Sequence, residues 1–364
     1  MAHTYRILSI DGGGTRGVIP ATLLDSLFQS TGQPPAELFD LFAGTSTGGI
    51  ISIGLAYGLE PAQLVDLYLN QSDKVFHDTP LDNLRDGFGK NLGADYSTGP
   101  LKKILQSLFG EATLGDVNER LLRQGPDKCL MVCSFHLNPE EDGEPLNFRP
   151  VIYHSNFIRD RDVKLVDVAL RTSAGPTYFP IYQDHIDGGV SINHPAMAAV
   201  AFAINCNTAE KPEYRYMDGK NKGLGKSVQE LQVLSLGTGT SNRNRIPTDV
   251  IRRKRRGDWG NLQWIEYLPD LLTESNVQAS DYYVQQVLKT SGAENQYYRI
   301  QLSFDDPQAP EAIRAELARG KVLGLDVRDK KLLRAMHDFA QTYYREHEAP
   351  ILSFLKADRA PVSV

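Results

Sequence analysis

The chain has 364 residues, of which 41% are hydrophobic and 23% are charged, a profile typical of a globular protein with a sizeable core. Its formal net charge of −6 excludes the basic excess by which proteins bind nucleic-acid polymers. No apolar run is long enough to cross a bilayer, the N-terminus does not resemble a signal peptide, and three cysteines do not make a disulfide framework. We therefore expect a cytoplasmic protein.

The first part of the chain alternates between apolar strand patterns and amphipathic helix patterns. Glycines or prolines stand where these patterns change, as they do at the ends of helices. Strands and helices are predicted over residues 5–10, 20–32, 39–43 and 49–57, and a further helix begins at Pro61. Residues 73–100 are glycine-rich, so an irregular surface segment is predicted there.

The alternation continues to the end of the chain. Predicted helices cover residues 99–109, 163–171, 194–205, a region near 260–290, and 328–346. Predicted strands cover residues 129–136, 181–186, 231–236 and 297–302, and exposed loops are expected at 138–146 and 207–230. Cys129 and Cys133 alternate with apolar residues, which indicates buried strand positions and not a metal site.

Strands that alternate with helices predict an α/β fold with a mostly parallel central sheet and helices on both faces. We expect a main domain over residues 1–300. Residues 301–364 are predicted to form a C-terminal helical extension packed on the same domain. The reason is that Leu332, Met336 and Phe339 lie on one side of its helix.

A glycine-serine-glycine pattern separates the strand at 39–43 from the next helix: Ser46 stands between Gly44 and Gly48. A serine that attacks a carbonyl carbon needs a tight turn that exposes its hydroxyl, and glycines make room for that turn. The helix that follows directs N–H groups toward the negative charge that develops. An ordinary connection could carry the same pattern, but its place between two apolar elements favours a nucleophile.

Three consecutive glycines, Gly12, Gly13 and Gly14, follow the first predicted strand. Backbone N–H groups without side chains around them can bind an anion. In an acyl hydrolase this loop would be the oxyanion hole, which stabilises the tetrahedral intermediate. Arg16 would then orient the loop or bind a lipid phosphate.

The same loop has an alternative interpretation, because it also resembles the first phosphate loop of actin-like and sugar-kinase phosphotransferases. The turn at 237–239 would then hold a second phosphate. This alternative leaves the pattern around Ser46 unexplained, and Gly17 stands where a hydroxyl residue is expected.

A serine hydroxyl needs a neighbouring base, and the candidate is Asp187, which is followed by Gly188 and Gly189. Histidine is the usual base in such sites. His185 and His194 lie close to Asp187 in the chain, so a triad with either histidine stays open at this point.

Together these patterns resemble the patatin-like phospholipase family. The resemblance rests on residues 11–17, 44–49, 173–180 and 187–189, which occur in the family's order, and on the strand and turn at 231–239. One departure is Gly175, where many family members carry alanine, and it affects packing more than chemistry.

The resemblance implies a patatin-like hydrolase fold and a Ser–Asp dyad without a catalytic histidine. Ser46 would be the nucleophile, Asp187 the base, and Gly12 to Gly14 the oxyanion loop, with no metal or organic cofactor. Family members cleave ester bonds of phospholipids, galactolipids or neutral glycerolipids. A phospholipase A type activity on membrane phospholipids is therefore expected.

Two further features of the sequence bear on regulation. The basic run at residues 252–256, followed by Trp259 and Trp264, could contact an anionic membrane surface, bind an anionic regulator, or be a solvated loop. Small bacterial members of the family include antiphage effectors activated by a cyclic nucleotide, which implies a possible activator of that kind.

Overall fold

A seven-stranded sheet forms the centre of the computed structural model. The structure describes residues 4–75, 94–141, 143–205, 224–242, 245–253, 257–264, 267–289, 296–319 and 324–356. Its strands are β1 (Tyr5–Ile10), β2 (Leu41–Thr45), β3 (Cys129–His136), β6 (Arg149–His154), β7 (His185–Asp187), β8 (Leu231–Leu236) and β9 (Tyr297–Ile300). A separate hairpin of β4 (Glu140–Glu141) and β5 (Glu144–Pro145) lies at the predicted exposed loop.

The strand order is β6-β3-β2-β1-β8-β9, with β7 also paired to β3. Strands β3, β2, β1, β8 and β9 are parallel to their neighbours in this order. Both β6 and β7 are antiparallel to β3. The predicted α/β fold with a mostly parallel sheet is therefore confirmed.

Helices cover both faces of the sheet. They are α1 (Val18–Thr31), α2 (Pro35–Leu38), α3 (Thr47–Tyr57), α4 (Pro61–Asn70), α5 (Ser72–Val75), α6 (Thr98–Phe109), α7 (Leu114–Leu122), α8 (Leu165–Thr172), α9 (Ala196–Ile204), α10 (Thr248–Arg253), α11 (Asn261–Trp264), α12 (Leu268–Lys289), α13 (Glu311–Ala318) and α14 (Lys330–Lys356). Within the described ranges, no helix has the length and apolar composition needed to span a bilayer.

The two faces follow from the alternation of side chains along each strand. In β1, Leu8 and Ile10 belong to a large core with α1, α3, α4 and α14. Tyr5 and Ile7 point to the other face, into a smaller core with α9 and α12. Strands that are buried on both faces carry the near-continuous apolar runs that the sequence shows.

The C-terminal helix α14 packs against α1 and contributes Leu333, Met336 and Ala340 to the larger core. It continues to residue 356, ten residues beyond the predicted end, with Pro350 inside it. A domain boundary at residue 300 stays a prediction.

One other prediction is wrong, two elements were not predicted, and two predicted segments are only partly described. The strand predicted over 181–186 is reduced to β7, because Gln183 and Asp184 take positive φ angles of 49° and 60° and form a turn. Helix α7 and strand β6 were not predicted. Residues 76–93, within the predicted irregular segment, and 206–223, within the predicted loop, lie outside the described residues.

Candidate active site

Ser46 occupies a strained turn between β2 and α3. Its φ of 54° lies in the left-handed region, which residues other than glycine seldom adopt. Such strain persists only where the surroundings hold it in place, and it is common at functional sites. The Ser46 N–H donates to Thr172 Oγ1 at 2.9 Å, and the Thr172 hydroxyl donates to the Cys133 carbonyl. Thr172 therefore connects the turn at Ser46 to strand β3.

The glycines of the motif are required by close backbone contacts. A Cβ at Gly44 would stand 2.2 Å from the carbonyl oxygen of Gly48. A Cβ at Gly48 would stand 2.1 Å from the carbonyl oxygen of Ile10. These distances are far below van der Waals contact and involve main-chain atoms that cannot move aside, so the turn tolerates no side chain at either position.

Strand β3 brings the candidate nucleophile and the candidate base together. Thr45 lies opposite Cys133 in the parallel pair with β2, and Asp187 lies opposite Ser134 in the antiparallel pair with β7. Cys133 and Ser134, which are adjacent in β3, thus pair with the last residues of β2 and β7. Ser46, one residue beyond Thr45, and Asp187 line the same cavity, and the Ser46 side chain is close enough to lower the pKa of the Asp187 carboxyl group.

The surroundings of Asp187 make it a stronger base than an aspartate in water. Burial raises its pKa from 3.8 to about 6, although the hydrogen bonds from Ser46 and from the Gly189 N–H act in the opposite direction. The Gly189 nitrogen lies 2.7 Å from Asp187 Oδ1 and fixes that oxygen. A carboxylate with this pKa is ionised near neutral pH and accepts a proton more readily than an exposed one.

Gly188 and Gly189 leave no space for side chains beside this carboxylate. A Cβ at Gly188 would stand 2.4 Å from the Cys133 carbonyl oxygen. A Cβ at Gly189 would stand 3.1 Å from Asp187 Oδ1 and closer still to Asn193. Both glycines therefore support the position of the aspartate.

The glycine loop approaches Ser46 from β1, but its three amides are not equivalent. The Gly12 N–H donates to the Asn193 carbonyl at 3.0 Å, so Gly12 does not fit the predicted role of an oxyanion donor. Gly13 and Gly14 line the cavity that contains Ser46. Of the three predicted oxyanion donors, only the N–H groups of Gly13 and Gly14 therefore remain candidates.

Other contacts of the loop bear on Arg16 and on the phosphate-loop alternative. Burial lowers the pKa of Arg16, whereas the negative charges of Asp270 and Glu274 in α12 act in the opposite direction. The role of Arg16 at the loop stays a prediction. Thr238, in the turn proposed for a second phosphate, donates its hydroxyl to the Gly12 carbonyl. Turn and loop pack against each other, an arrangement that argues against two phosphate sites.

A cavity of about 180 Å³ opens at Ser46 and Asp187. Its polar end is formed by these two residues and by the main chain of the glycine loop. The remaining walls are largely apolar and include Tyr178, Phe179, Val190, Leu268, Leu272 and Leu325. A cavity of this kind suits an acyl chain with its carbonyl group at the polar end.

The two histidines that the sequence left open make other contacts. Nε2 of His185 lies 2.9 Å from the Tyr153 hydroxyl, and its ring stacks on His136. Nε2 of His194 lies 2.9 Å from Ser235 Oγ. Burial lowers the pKa of both histidines. Among the described hydrogen bonds, neither histidine joins the Ser46–Asp187 pair.

Several residues that support the site belong to no motif that the sequence revealed. Thr172 holds the Ser46 amide, Asn193 holds Gly12, and Arg299 of β9 forms a 2.7 Å ion pair with Asp11 at the start of the glycine loop. Asp11 belongs to the recognised motif, and a buried carboxylate requires a cation. The sequence therefore predicts a cationic partner for Asp11, but it does not identify Arg299 as that partner.

Comparison with known proteins agrees with this architecture. The family model described as patatin-like phospholipase matches residues 8–200, more than half of the chain. A cGAMP-activated phospholipase from Pseudomonas aeruginosa is 29% identical over 312 residues, which cover 85% of this chain and 80% of the relative. Patatin-like protein 2 from Arabidopsis thaliana is 28% identical over 348 residues, covering 86% and 78%.

A cGAMP-activated phospholipase from Vibrio cholerae is 31% identical over 248 residues, which cover 63% of this chain and 66% of the relative. By class, the protein is a lipid acyl hydrolase. The chain belongs to the patatin-like phospholipase family.

Proposed function

We propose that the protein hydrolyses ester-linked acyl chains of membrane phospholipids through a dyad of Ser46 and Asp187. The observation that carries this proposal is that Ser46 and Asp187, a carboxylate of raised pKa that the Ser46 side chain influences directly, share the polar end of an apolar cavity. A nucleophile and base in direct contact, without a third residue, are sufficient for acyl transfer when the oxyanion is stabilised separately.

In the first half-reaction, Ser46 Oγ attacks the ester carbonyl carbon while Asp187 takes the hydroxyl proton. The carbonyl oxygen becomes an oxyanion that accepts hydrogen bonds from the N–H groups of Gly13 and Gly14. Each such donor is typically worth about 3 kcal/mol. When the intermediate collapses, the C–O bond of the lipid breaks, and Asp187 returns the proton to the departing alcohol.

In the second half-reaction, water attacks the acyl-enzyme carbonyl. Asp187 accepts a proton from that water, and the same loop stabilises the second oxyanion. Collapse breaks the bond between the acyl carbon and Ser46 Oγ, Asp187 returns the proton to that oxygen, and the fatty acid is released. The products are therefore a fatty acid and a lysophospholipid.

Labelling with a fluorophosphonate probe tests the dyad directly, because the probe reacts with an activated serine and with no phosphotransferase or idle lipid-binding site. We expect a single modified peptide that contains Ser46, and no labelling in Ser46→Ala. Digestion of mixed membrane lipids should release fatty acids and lysophospholipids. Labelling at another serine, or lipid hydrolysis that persists in Ser46→Ala, would reject the proposal.

A second part of the proposal concerns regulation. Two relatives carry the name cGAMP-activated phospholipase, and we propose that a cyclic nucleotide activates this protein, as a cytoplasmic antiphage effector that contacts the membrane transiently. Lipid hydrolysis with and without cGAMP tests activation. Phage plating on cells that express the wild type or Ser46→Ala tests defence. Equal hydrolysis rates with and without cGAMP and other cyclic dinucleotides, and equal plating, would reject this part only.

A further inference from the structure

Several of the large apolar side chains that are exposed follow one another closely at the start of helix α12. Leu268, Leu271 and Leu272, named here the leucine rim, are 44%, 42% and 48% exposed. Trp264, just before this helix, is 41% exposed. A cluster of half-exposed leucines does not stabilise a fold, and such clusters usually mark a surface that binds a partner or a membrane.

Helix geometry explains why these side chains form one surface. Positions separated by three and four residues lie on the same side of a helix, and the rim residues have this spacing. Farther along, Asn276 holds the helix to the site: its Oδ1 accepts the Asn193 N–H, and its Nδ2 donates to the Gly189 carbonyl. Val284 and Leu288 of the same helix are buried in the smaller core. The rim is thus fixed to the active site at one end of a well-packed helix.

The rim is continuous with the substrate cavity. Leu268 and Leu272 line that cavity although they are half-exposed, so they form part of its opening. Leu271 and Trp264 do not line it. An acyl chain that enters the cavity must cross this opening, and its transfer from a bilayer into water costs about 0.8 kcal/mol per CH₂ group. An opening seated in the bilayer avoids that step.

Charge favours apolar contact over electrostatic attraction. Asp270 and Glu274 lie on the same turns of α12, and their charge is opposed by Arg16. The chain as a whole carries a formal charge of −6. These features do not attract an anionic surface from a distance, whereas leucine insertion needs no lipid charge.

We propose that the leucine rim and Trp264 form a membrane-docking surface that inserts into a bilayer by apolar contact and places the cavity opening against the lipid. This inference rests on the proposed function, since it takes the cavity to be the acyl-chain site. It assigns membrane contact to the start of α12 and not to the basic run, of which residues 254–256 lie outside the described residues.

The test separates binding from chemistry. Flotation with phosphatidylcholine vesicles is measured in a Ser46→Ala background, where no lipid is consumed. Leu271→Glu and Trp264→Ser should each lower vesicle affinity about 10-fold, since each removes inserted apolar surface. Tyr282→Ser is the matched control, because Tyr282 is 59% exposed on the same helix and farther from the cavity. It should bind as the parent does.

In the active enzyme, hydrolysis of vesicle lipid is divided by hydrolysis of a soluble short-chain ester. We expect this ratio to fall about 10-fold in Leu271→Glu and to stay constant in Tyr282→Ser. Loss of soluble-ester hydrolysis in the unmodified chain would contradict the proposed function and not the docking surface.

Three outcomes would overturn the docking proposal. Leu271→Glu could bind vesicles within about twofold of its parent. Binding could disappear in 0.5 M salt or require phosphatidylglycerol, which would assign it to basic residues. Sedimentation could show that Leu271→Glu dissociates a dimer, which would make the rim an interface between two copies of the chain.

Discussion

The two ends of the cavity are built in different ways. At the reactive end, Gly48 beside Ser46 and Gly188 beside Asp187 lie against main-chain atoms of β1 and β3, at distances that leave no room for added groups. At the opening, leucines of α12 are half-exposed and contribute little to the core. The comparison indicates that chemistry depends on a backbone that cannot shift, whereas access depends on side chains that the fold does not need. Substitutions at the two ends should therefore have separable effects.

The largest effect is expected from removing either member of the dyad. Ser46→Ala and Asp187→Asn should each lower kcat for a soluble ester by about four orders of magnitude. Thermal unfolding should show that both variants remain folded, since neither side chain is part of the hydrophobic core. Near-normal turnover in Asp187→Asn would contradict the dyad and return His185 or His194 to consideration.

One added methyl group should disrupt the close packing of the reactive end. Gly48→Ala would place Cβ 2.1 Å from the Ile10 carbonyl oxygen, so β1 or α3 must move. We expect the free energy of unfolding to fall by about 3 kcal/mol or more, measured by denaturant titration.

Gly175→Ala is the matched control for that variant. Its Cβ would meet Tyr178 at 3.6 Å and Asp187 Oδ2 at 3.8 Å, which are ordinary van der Waals contacts. Stability should therefore change by less than about 0.5 kcal/mol. Equal stability of both variants would show that the turn is not close-packed.

The local motifs of this site could be predicted from the sequence, but their supports could not. Ser46 with Gly44 and Gly48, and Asp187 with its glycines, are encoded by short segments whose turn chemistry is visible in the chain. The family match agrees with the phospholipase assignment that they suggested.

What the sequence could not supply is pairing between distant segments. Thr172 and Ser46 are 126 positions apart in the chain, and Arg299 and Asp11 are 288 positions apart, yet each pair is hydrogen bonded. Neither residue stands in a distinctive local pattern. For the same reason, the sequence could not show that the Gly12 N–H donates to the Asn193 carbonyl and is not available to an oxyanion. Strand β7 was predicted too long because propensity does not register the positive φ angles of Gln183 and Asp184.

The raised pKa of Asp187 predicts opposite trends of activity and stability with pH. Below about pH 6 the base becomes protonated, so kcat/KM for a soluble ester should fall about 10-fold per pH unit. Because the folded-state pKa exceeds the unfolded value, the folded state binds this proton more tightly. Asp187 therefore adds stability at low pH, and that contribution disappears as pH rises through about 6.

The contribution of Asp187 to stability is measured as the difference in unfolding free energy between the wild type and Asp187→Asn across pH 4 to 7. Asparagine cannot ionise, so the wild type should lose stability relative to the variant as pH rises. A difference that stays constant with pH, or an activity profile with its inflection near pH 4, would indicate an ordinary aspartate.

The smallest effect concerns a residue that acts on the serine only through its position. Thr172 Oγ1 accepts the Ser46 N–H and donates to the Cys133 carbonyl, and Thr172→Val removes both bonds with little change in shape. We expect kcat to fall about 5-fold with KM unchanged, and stability to fall by about 1 to 2 kcal/mol. Thr172→Ser keeps the hydroxyl and should restore kcat even if it does not restore all of the stability. If serine rescued stability but not kcat, Thr172 would be a packing residue, and the left-handed turn at Ser46 would hold its geometry without help from α8.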